Sequence, residues 1–241
     1  MSSYILEHSR FFLRCCPTNN ELLTIIIMFK KKLKPAETRA ISVLSILYLV
    51  GIIGIALPIH PDFIRLTPLN LLVSLGVVLA FHRNWNNTFY IFLVISYLTG
   101  FCAELFGVQT GLLFGDYTYG STLGFKLWGT PLMIGINWVM LAYATGVLSN
   151  TLLPQQHWLL RAAVAAGFMV ALDVLIEPVA MRYDFWSWKH DMVPIQNYIG
   201  WFFVALPLLC IFTMTQPAAR NKVAIALFIL QVIFFLALNL L

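Results

Sequence analysis

The chain has 241 residues, 60% of them hydrophobic and only 10% charged, against about 25% charged in an average soluble protein. A soluble fold this apolar could not cover its own surface, so the bilayer must be its solvent, and the length suits one membrane domain. The net charge of +5 sits in short basic runs between apolar stretches. That is the pattern of topology signals, and it excludes a basic, aromatic-interleaved face for nucleic acid. Cys15, Cys16, Cys102 and Cys210 have the spacing of neither a disulfide framework nor a zinc site.

Residues 1–27 begin polar and unpatterned, and Leu22–Met28 is too short to span a bilayer. The basic cluster follows this apolar run instead of preceding it, which is not the order of a signal peptide. Met28-Phe29-Lys30-Lys31-Lys32 resembles the natural start of a membrane protein. The expectation is a dispensable extension over 1–27 and a single transmembrane helical domain over 28–241. Apolar runs then predict seven spans at about 40–58, 64–81, 88–107, 130–149, 157–181, 198–215 and 221–240. Pro68 interrupts the start of the second. The predicted fold is all-α, a polytopic bundle in the cell (inner) membrane. Lys30, Lys31, Lys32, Lys34 and Arg39 precede the first span and place the N-terminus in the cytoplasm. Seven spans bring Arg83, Arg161, Arg220 and Lys222 to the same side, leaving only Arg65, Lys126, Arg182 and Lys189 outside.

The acids follow the opposite distribution. Asp62, Glu104, Asp116, Asp173, Glu177, Asp184 and Asp191 all fall in outer loops or the outer halves of spans. Glu104 lies within span three, and Asp173 and Glu177 lie within span five. Each intramembrane carboxylate costs about 2.5–3.5 kcal/mol on insertion scales, and such residues mark function. Asp173 and Glu177 are spaced i,i+4 and share one helix face, which must point into the bundle. Pro178 frees a backbone carbonyl beside them. Asn137 in span four reaches a similar depth and could hydrogen-bond a carboxyl.

Two outer loops are too specialised to be connectors. Between spans three and four, Gly107, Gly111, Gly115 and Gly120 alternate with Thr110, Phe114, Asp116, Tyr117 and Tyr119. This reads as a Gly-rich folded or re-entrant loop. After span five, Trp186, Trp188, Asn197, Tyr198 and Trp201 sit close together, a density that favours an aromatic-walled pocket over an interfacial belt. No His pair has metal-ligand spacing, no nucleophile motif appears, and no Asp-rich magnesium motif is present. Carboxyls, aromatics and lipid suit proton-initiated chemistry on an apolar substrate.

Glu104-x-x-Gly107-x-x-Thr110-Gly111-x-x-Phe114-Gly115-x-Tyr117-x-Tyr119, then Leu123-Gly124, Pro131 and Asn137-Trp138, resembles the carotenoid 1,2-hydratases of bacteria and archaea. Asp173-x-x-x-Glu177-Pro178, Trp186-x-Trp188 and Val193-Pro194-x-x-Asn197-x-x-Gly200-Trp201 continue the likeness in the same order. Glu177 stands where the family often has Asp, Ala103 where it often has Trp, and the Trp188–Val193 segment is short. The resemblance implies water addition to the terminal C1–C2 double bond of an acyclic or monocyclic carotenoid of the lycopene or γ-carotene kind. It implies no cofactor and no metal. For that reaction Glu104 or Asp173, which lie within spans, is the expected acid, and Glu177 or Asp116 the expected group that orients water. The substrate contacts would be Thr110, Phe114, Tyr117, Tyr119, Asn137, Trp138, Trp186, Trp188, Asn197 and Trp201. Neighbouring carotenoid enzymes are the candidate protein partners. The acids alone also suit a proton-coupled transporter, though no internal repeat is visible. An end-group isomerase and a carotenoid-binding subunit remain as other readings. Deleting residues 1–27 is expected to leave membrane insertion and activity intact, checked by expressing the chain from Met28.

Overall fold

A computed structural model describes residues 33–57 and 63–241. The expected N-terminal extension, Lys30–Lys32 and Asp62 lie outside the described residues. Among the described residues, seven helical spans are long and apolar enough to cross a membrane. They are α1 (Pro35–Ala56), a 3-10 turn at Phe63–Leu66 running into α2 (Thr67–Ala80), α3 (Asn87–Thr110), α4 (Leu132–Leu152), α5 (Trp158–Arg182), α6 (Ile195–Thr215) and α7 (Lys222–Leu240). The all-α, seven-span expectation holds, with ends displaced by a few residues. Two displacements matter. Helix α3 runs on to Thr110, which sets Glu104 deeper in its span, and α6 starts at Ile195, which puts Asn197 in its first turn.

The helix ends carry the expected chemistry. Asn86 caps α3 by accepting the Phe89 N–H, and Gly111 closes that helix in the left-handed region at φ 67°. Pro131 and Pro194 precede α4 and α6. Asn221 accepts the Val223 and Ala224 N–H groups at the start of α7.

Helix α4 is the axis of the bundle: 78% of its apolar window is buried in protein, against 17–44% for the other six spans. It packs on α3, α5, α6 and α7, while α1 lies against α7. Bundles in lipid gain from close backbone approach more than from hydrophobicity, because lipid tails are as apolar as leucine. Accordingly α4 presents Gly135 to the Tyr97 ring, where an added Cβ would come within 2.7 Å. Apolar residues such as Ile46, Val50 and Ile53 on α1 and Ile91, Val94 and Leu98 on α3 are exposed.

One end of the bundle is tied by a polar knot. The Tyr143 hydroxyl lies 2.9 Å from His82 Nδ1, and His82 Nε2 lies 2.9 Å from the Asn84 carbonyl. Because that carbonyl can only accept, Nε2 carries the proton and Nδ1 accepts from Tyr143. Burial lowers the His82 pKa and favours this neutral form. Asn221 donates to Tyr143 and to the Val78 carbonyl, so α2, α4 and α7 share one network.

The other end carries four short strands: β1 (Tyr117–Tyr119), β2 (Lys126–Leu127), β3 (Thr130–Pro131) and β4 (Trp186–Trp188). Strand β2 pairs with β3 in a small hairpin. The two specialised loops pair with each other: β1 lies antiparallel to β4, with Tyr117 opposite Trp188 and Tyr119 opposite Trp186. Asp184 secures the join, accepting from the Ser121 N–H at 2.8 Å and the Ser121 hydroxyl at 2.9 Å. Those two donors hold the Asp184 carboxyl below its ordinary pKa. A carboxyl lowered in the fold stabilises it above the unfolded pKa of about 3.9 and loses that contribution as pH falls through the folded value. Limited proteolysis of the 111–131 loop should therefore rise in wild type only below about pH 4. In Asp184→Ala it should be raised at neutral pH as well.

Candidate active site

Strand β1 alternates Tyr117, Thr118 and Tyr119, and β4 alternates Trp186, Ser187 and Trp188. Side chains on a strand alternate between faces. The four aromatics therefore turn inward together while Thr118 and Ser187 meet on the outer face, 3.3 Å apart. Beneath this aromatic roof lie Glu104, Asp173 and Glu177, each no more than 2% exposed. Among the described residues none of the three forms an ion pair. Arg182, the nearest cation along the chain, donates instead to the Leu238 carbonyl.

Uncharged donors hold these carboxyls. Glu104 Oε2 accepts from the Tyr117 hydroxyl at 2.6 Å and the Tyr119 hydroxyl at 2.7 Å, and its Oε1 accepts from Trp138 Nε1 at 3.1 Å. Glu177 Oε2 accepts from Trp186 Nε1 at 2.9 Å and Trp188 Nε1 at 2.7 Å. The Asn197 amide spans the remaining pair, donating to Glu177 Oε1 at 3.0 Å and to Asp173 Oδ2 at 2.8 Å. Asp173 Oδ1 is buried and has no hydrogen-bond partner among the described residues. Burial, with the neighbouring Glu104 charge second, raises the pKa of both tyrosine hydroxyls, which therefore stay protonated as donors.

The three carboxyls surround a cavity of about 10 Å³, completed by Ile134 and Trp201, which is the scale of a single water molecule. Trp201 stacks on Trp138 with ring centroids 4.4 Å apart. Two larger spaces adjoin it. An apolar pocket of about 80 Å³ shares Ile134 and Trp186 with the cavity. A polar groove of about 360 Å³, lined by Asp116, Thr118, Ser187 and Lys189 among others, shares Tyr117 and Trp188 with it.

The residues singled out from the sequence divide accordingly. Glu104, Asp173, Glu177, Tyr117, Tyr119, Trp138, Trp186, Trp188, Asn197 and Trp201 come together. Asp116 does not: it is exposed beyond the aromatic roof and paired with Lys189 at 3.0 Å. Thr110 is exposed, and its hydroxyl donates to the Phe106 carbonyl. Phe114 is buried behind Tyr117 and against Gly200, where it supports the roof without lining the cavity. Asn137 lines the apolar pocket, and the carboxyls are met by Asn197 instead. The pairing of β1 with β4 was not read from the sequence, although Tyr-x-Tyr and Trp-x-Trp carry the two-residue period of a strand. Tyr48 and Gln231 in the apolar pocket gave no comparable signal within their long apolar runs.

The family model described as "Carotenoid biosynthesis protein" matches residues 66–241. The chain belongs to that family. A stretch of 115 residues is 30% identical to the bisanhydrobacterioruberin hydratase of Haloarcula japonica, covering 45% of this chain and 39% of that protein. The match thus spans less than half the length of this relative. No solved structure matches the chain. The protein is a multi-pass membrane protein of carotenoid biosynthesis, and its buried carboxyl cluster lies within the matched region.

Trp138 reaches Glu104 only because α3 has no side chain at Gly100. A Cβ there would lie 2.2 Å from Trp138 Cγ and 2.4 Å from its Cβ, atoms that cannot swing aside. Gly100→Ala should cost about 1–3 kcal/mol, read as a lowered thermal unfolding midpoint in detergent, and should displace Trp138 from Glu104.

Proposed function

We propose that the protein adds water across the terminal C1–C2 double bond of an acyclic carotenoid end group, giving a tertiary alcohol. The observation that carries this reading is the water-sized cavity enclosed by three buried carboxyls, one of which presents a bare oxygen. Three negative charges around so small a space would repel strongly in a low-dielectric interior. Glu104 and Glu177 each accept from three donors, which suits the ionised form. Asp173 has one donor, so it is the group that carries the proton.

Asp173 delivers its proton from Oδ1 to C2, and the π electrons of the double bond form the new C–H bond. C1 becomes a tertiary cation. The indole and phenol faces around the cavity stabilise such a charge by roughly 0.5–2 kcal/mol each, and the Glu104 carboxylate adds a fixed negative charge. Water attacks C1, and Glu177 accepts the proton released as the new C–O bond forms. Transfer of that proton back to Asp173 through a cavity water resets the site, so the net reaction is alkene plus water to alcohol. The sequence resemblance and the hydratase relative support this reaction class. Water enters from the polar groove past Tyr117 and Trp188. With the N-terminus cytoplasmic, that groove opens on the outer face of the cell membrane.

In a lycopene-accumulating bacterial host, the wild-type chain should yield pigments heavier by one water, resolved by chromatography and mass spectrometry. Asp173→Asn should lower turnover by about 10²–10⁴-fold at equal membrane abundance. Full turnover by both Asp173→Asn and Glu104→Gln would overturn the mechanism. An inserted wild-type chain that converts neither lycopene nor a monocyclic carotenoid would overturn the reaction.

A further inference from the structure

The apolar pocket beside the carboxyl cavity has a lining that hydrocarbon alone does not explain. Helices α1, α2, α4, α5 and α7 contribute to it, and most of its surface is aliphatic or aromatic. Three amides nevertheless face into it: Asn70, Asn137 and Gln231. Gln231 is only 3% exposed, and its Oε1 has no hydrogen-bond partner among the described residues. Asn70 accepts from Ser74 at 3.3 Å, while the Asn137 side chain makes no hydrogen bond among the described residues. The Gln231 side chain also meets the Tyr48 hydroxyl, so the groups unpaired among the described residues are the Gln231 oxygen and the Asn137 amide, and such groups are costly in a membrane interior. A purely hydrocarbon occupant would leave them so, whereas a hydroxyl, which both donates and accepts, satisfies them.

The pocket is placed to receive what the carboxyl cavity reacts. Ile134 and Trp186 belong to both walls, and Trp186 also donates to Glu177 at 2.9 Å. A volume of about 80 Å³ admits only the end of a long hydrocarbon. The half-buried rim residues Leu71, Phe234 and Phe235 let the remainder lie along the bundle in lipid.

We propose that this pocket seats the reacting end of the isoprenoid and that its amides bind the tertiary hydroxyl of the product, with Gln231 Oε1 accepting the hydroxyl proton and Asn137 completing the polar wall. This assignment rests on the hydration reading above. It makes the pocket a selector for end groups that are branched, apolar and able to carry one hydroxyl. It also gives a function to α7 and to Tyr48 on α1, the latter outside the family-matched region.

The test is equilibrium binding to the full chain purified in detergent. Lycopene and its 1-hydroxy-1,2-dihydro derivative are the two probes, read by quenching of tryptophan fluorescence, with turnover measured in parallel. Leu71→Trp, which fills the rim, should weaken both probes by about tenfold or more. Gln231→Leu should weaken only the hydroxylated probe, by about fivefold, and leave lycopene binding unchanged. Asp173→Asn serves as the control: it should bind both probes like wild type without turning over. Turnover by Asp173→Asn would overturn the hydration mechanism. An inactive Asp173→Asn together with a Gln231→Leu variant that binds both probes like wild type would overturn the pocket assignment alone. Gln231→Leu decides this even where Leu71→Trp fails to fold, and binding of neither probe by the wild type would also overturn it.

Discussion

Three carboxyl groups buried in a bundle, with no cation paired to them among the described residues, set the terms for the rest of the structure. An unpaired buried charge is costly in protein and more so in lipid, so each carboxyl needs hydrogen-bond donors that bring no charge of their own. Phenol, indole and primary amide are the side chains that supply such donors while presenting apolar surface to their surroundings. The site uses all three: two tyrosines and a tryptophan on Glu104, two tryptophans on Glu177, and one asparagine shared between Glu177 and Asp173. The donors come from α4, α6 and both loops, so satisfying the carboxyls also fastens these elements together. Among the described residues, Asp173 Oδ1 is the one carboxyl oxygen of the three left without a hydrogen-bond partner.

Loop structure follows from the same requirement. Irregular backbone at membrane depth must be covered by protein, and the β1–β4 ladder satisfies its own backbone while directing four aromatic donors downward. Gly120 makes the close join possible, since a Cβ there would lie 2.1 Å from the Asp184 carbonyl oxygen. Gly200 does the same beneath Phe114, where a Cβ would come 2.7 Å from the Leu113 carbonyl. Gly120 in the first loop and Gly200 in α6 are thus explained by approach distance, and Gly111 by the left-handed turn that closes α3.

Much of this was legible in the sequence, because the bilayer imposes strong rules. Span length and the paucity of charge gave the seven helices, and the i,i+4 spacing put Asp173 and Glu177 on one inward face. What failed was of another kind. Asp116 looked like a fourth acid because it sits in the same loop as Tyr117 and Tyr119, but alternation along the loop turns it outward to Lys189. Asn137 reached carboxyl depth on paper, whereas the predicted spans leave Asn197 in the loop before span six. Which one faces the acids depends on helix rotation within the bundle, and apolar runs without a polar face carry no phase information. Tyr48 and Gln231 were hidden for the same reason: in a lipid-facing helix an isolated polar residue gives no period. Motif residues come together at the carboxyl cluster, whereas much of the neighbouring pocket comes from α1, α2 and α7, which carry no motif.

The proposed hydration of an apolar alkene would pose a supply problem, and the arrangement of the three spaces suits it. Water and hydrocarbon must meet at one carboxyl, yet a continuous channel between them would flood the membrane-side pocket. Here the polar groove and the apolar pocket both border the carboxyl cavity without sharing a lining residue with each other. Tyr117 and Trp188 form one partition, and Ile134 and Trp186 the other. Three of these four side chains also donate to Glu104 or Glu177. The groups that stabilise the charged carboxyls are therefore the same groups that keep the two phases apart. A side chain that swings to admit a reactant also withdraws a hydrogen bond from a carboxylate. Access and acidity are coupled through the same bonds, so opening the cavity alters the proton affinity of the groups inside it.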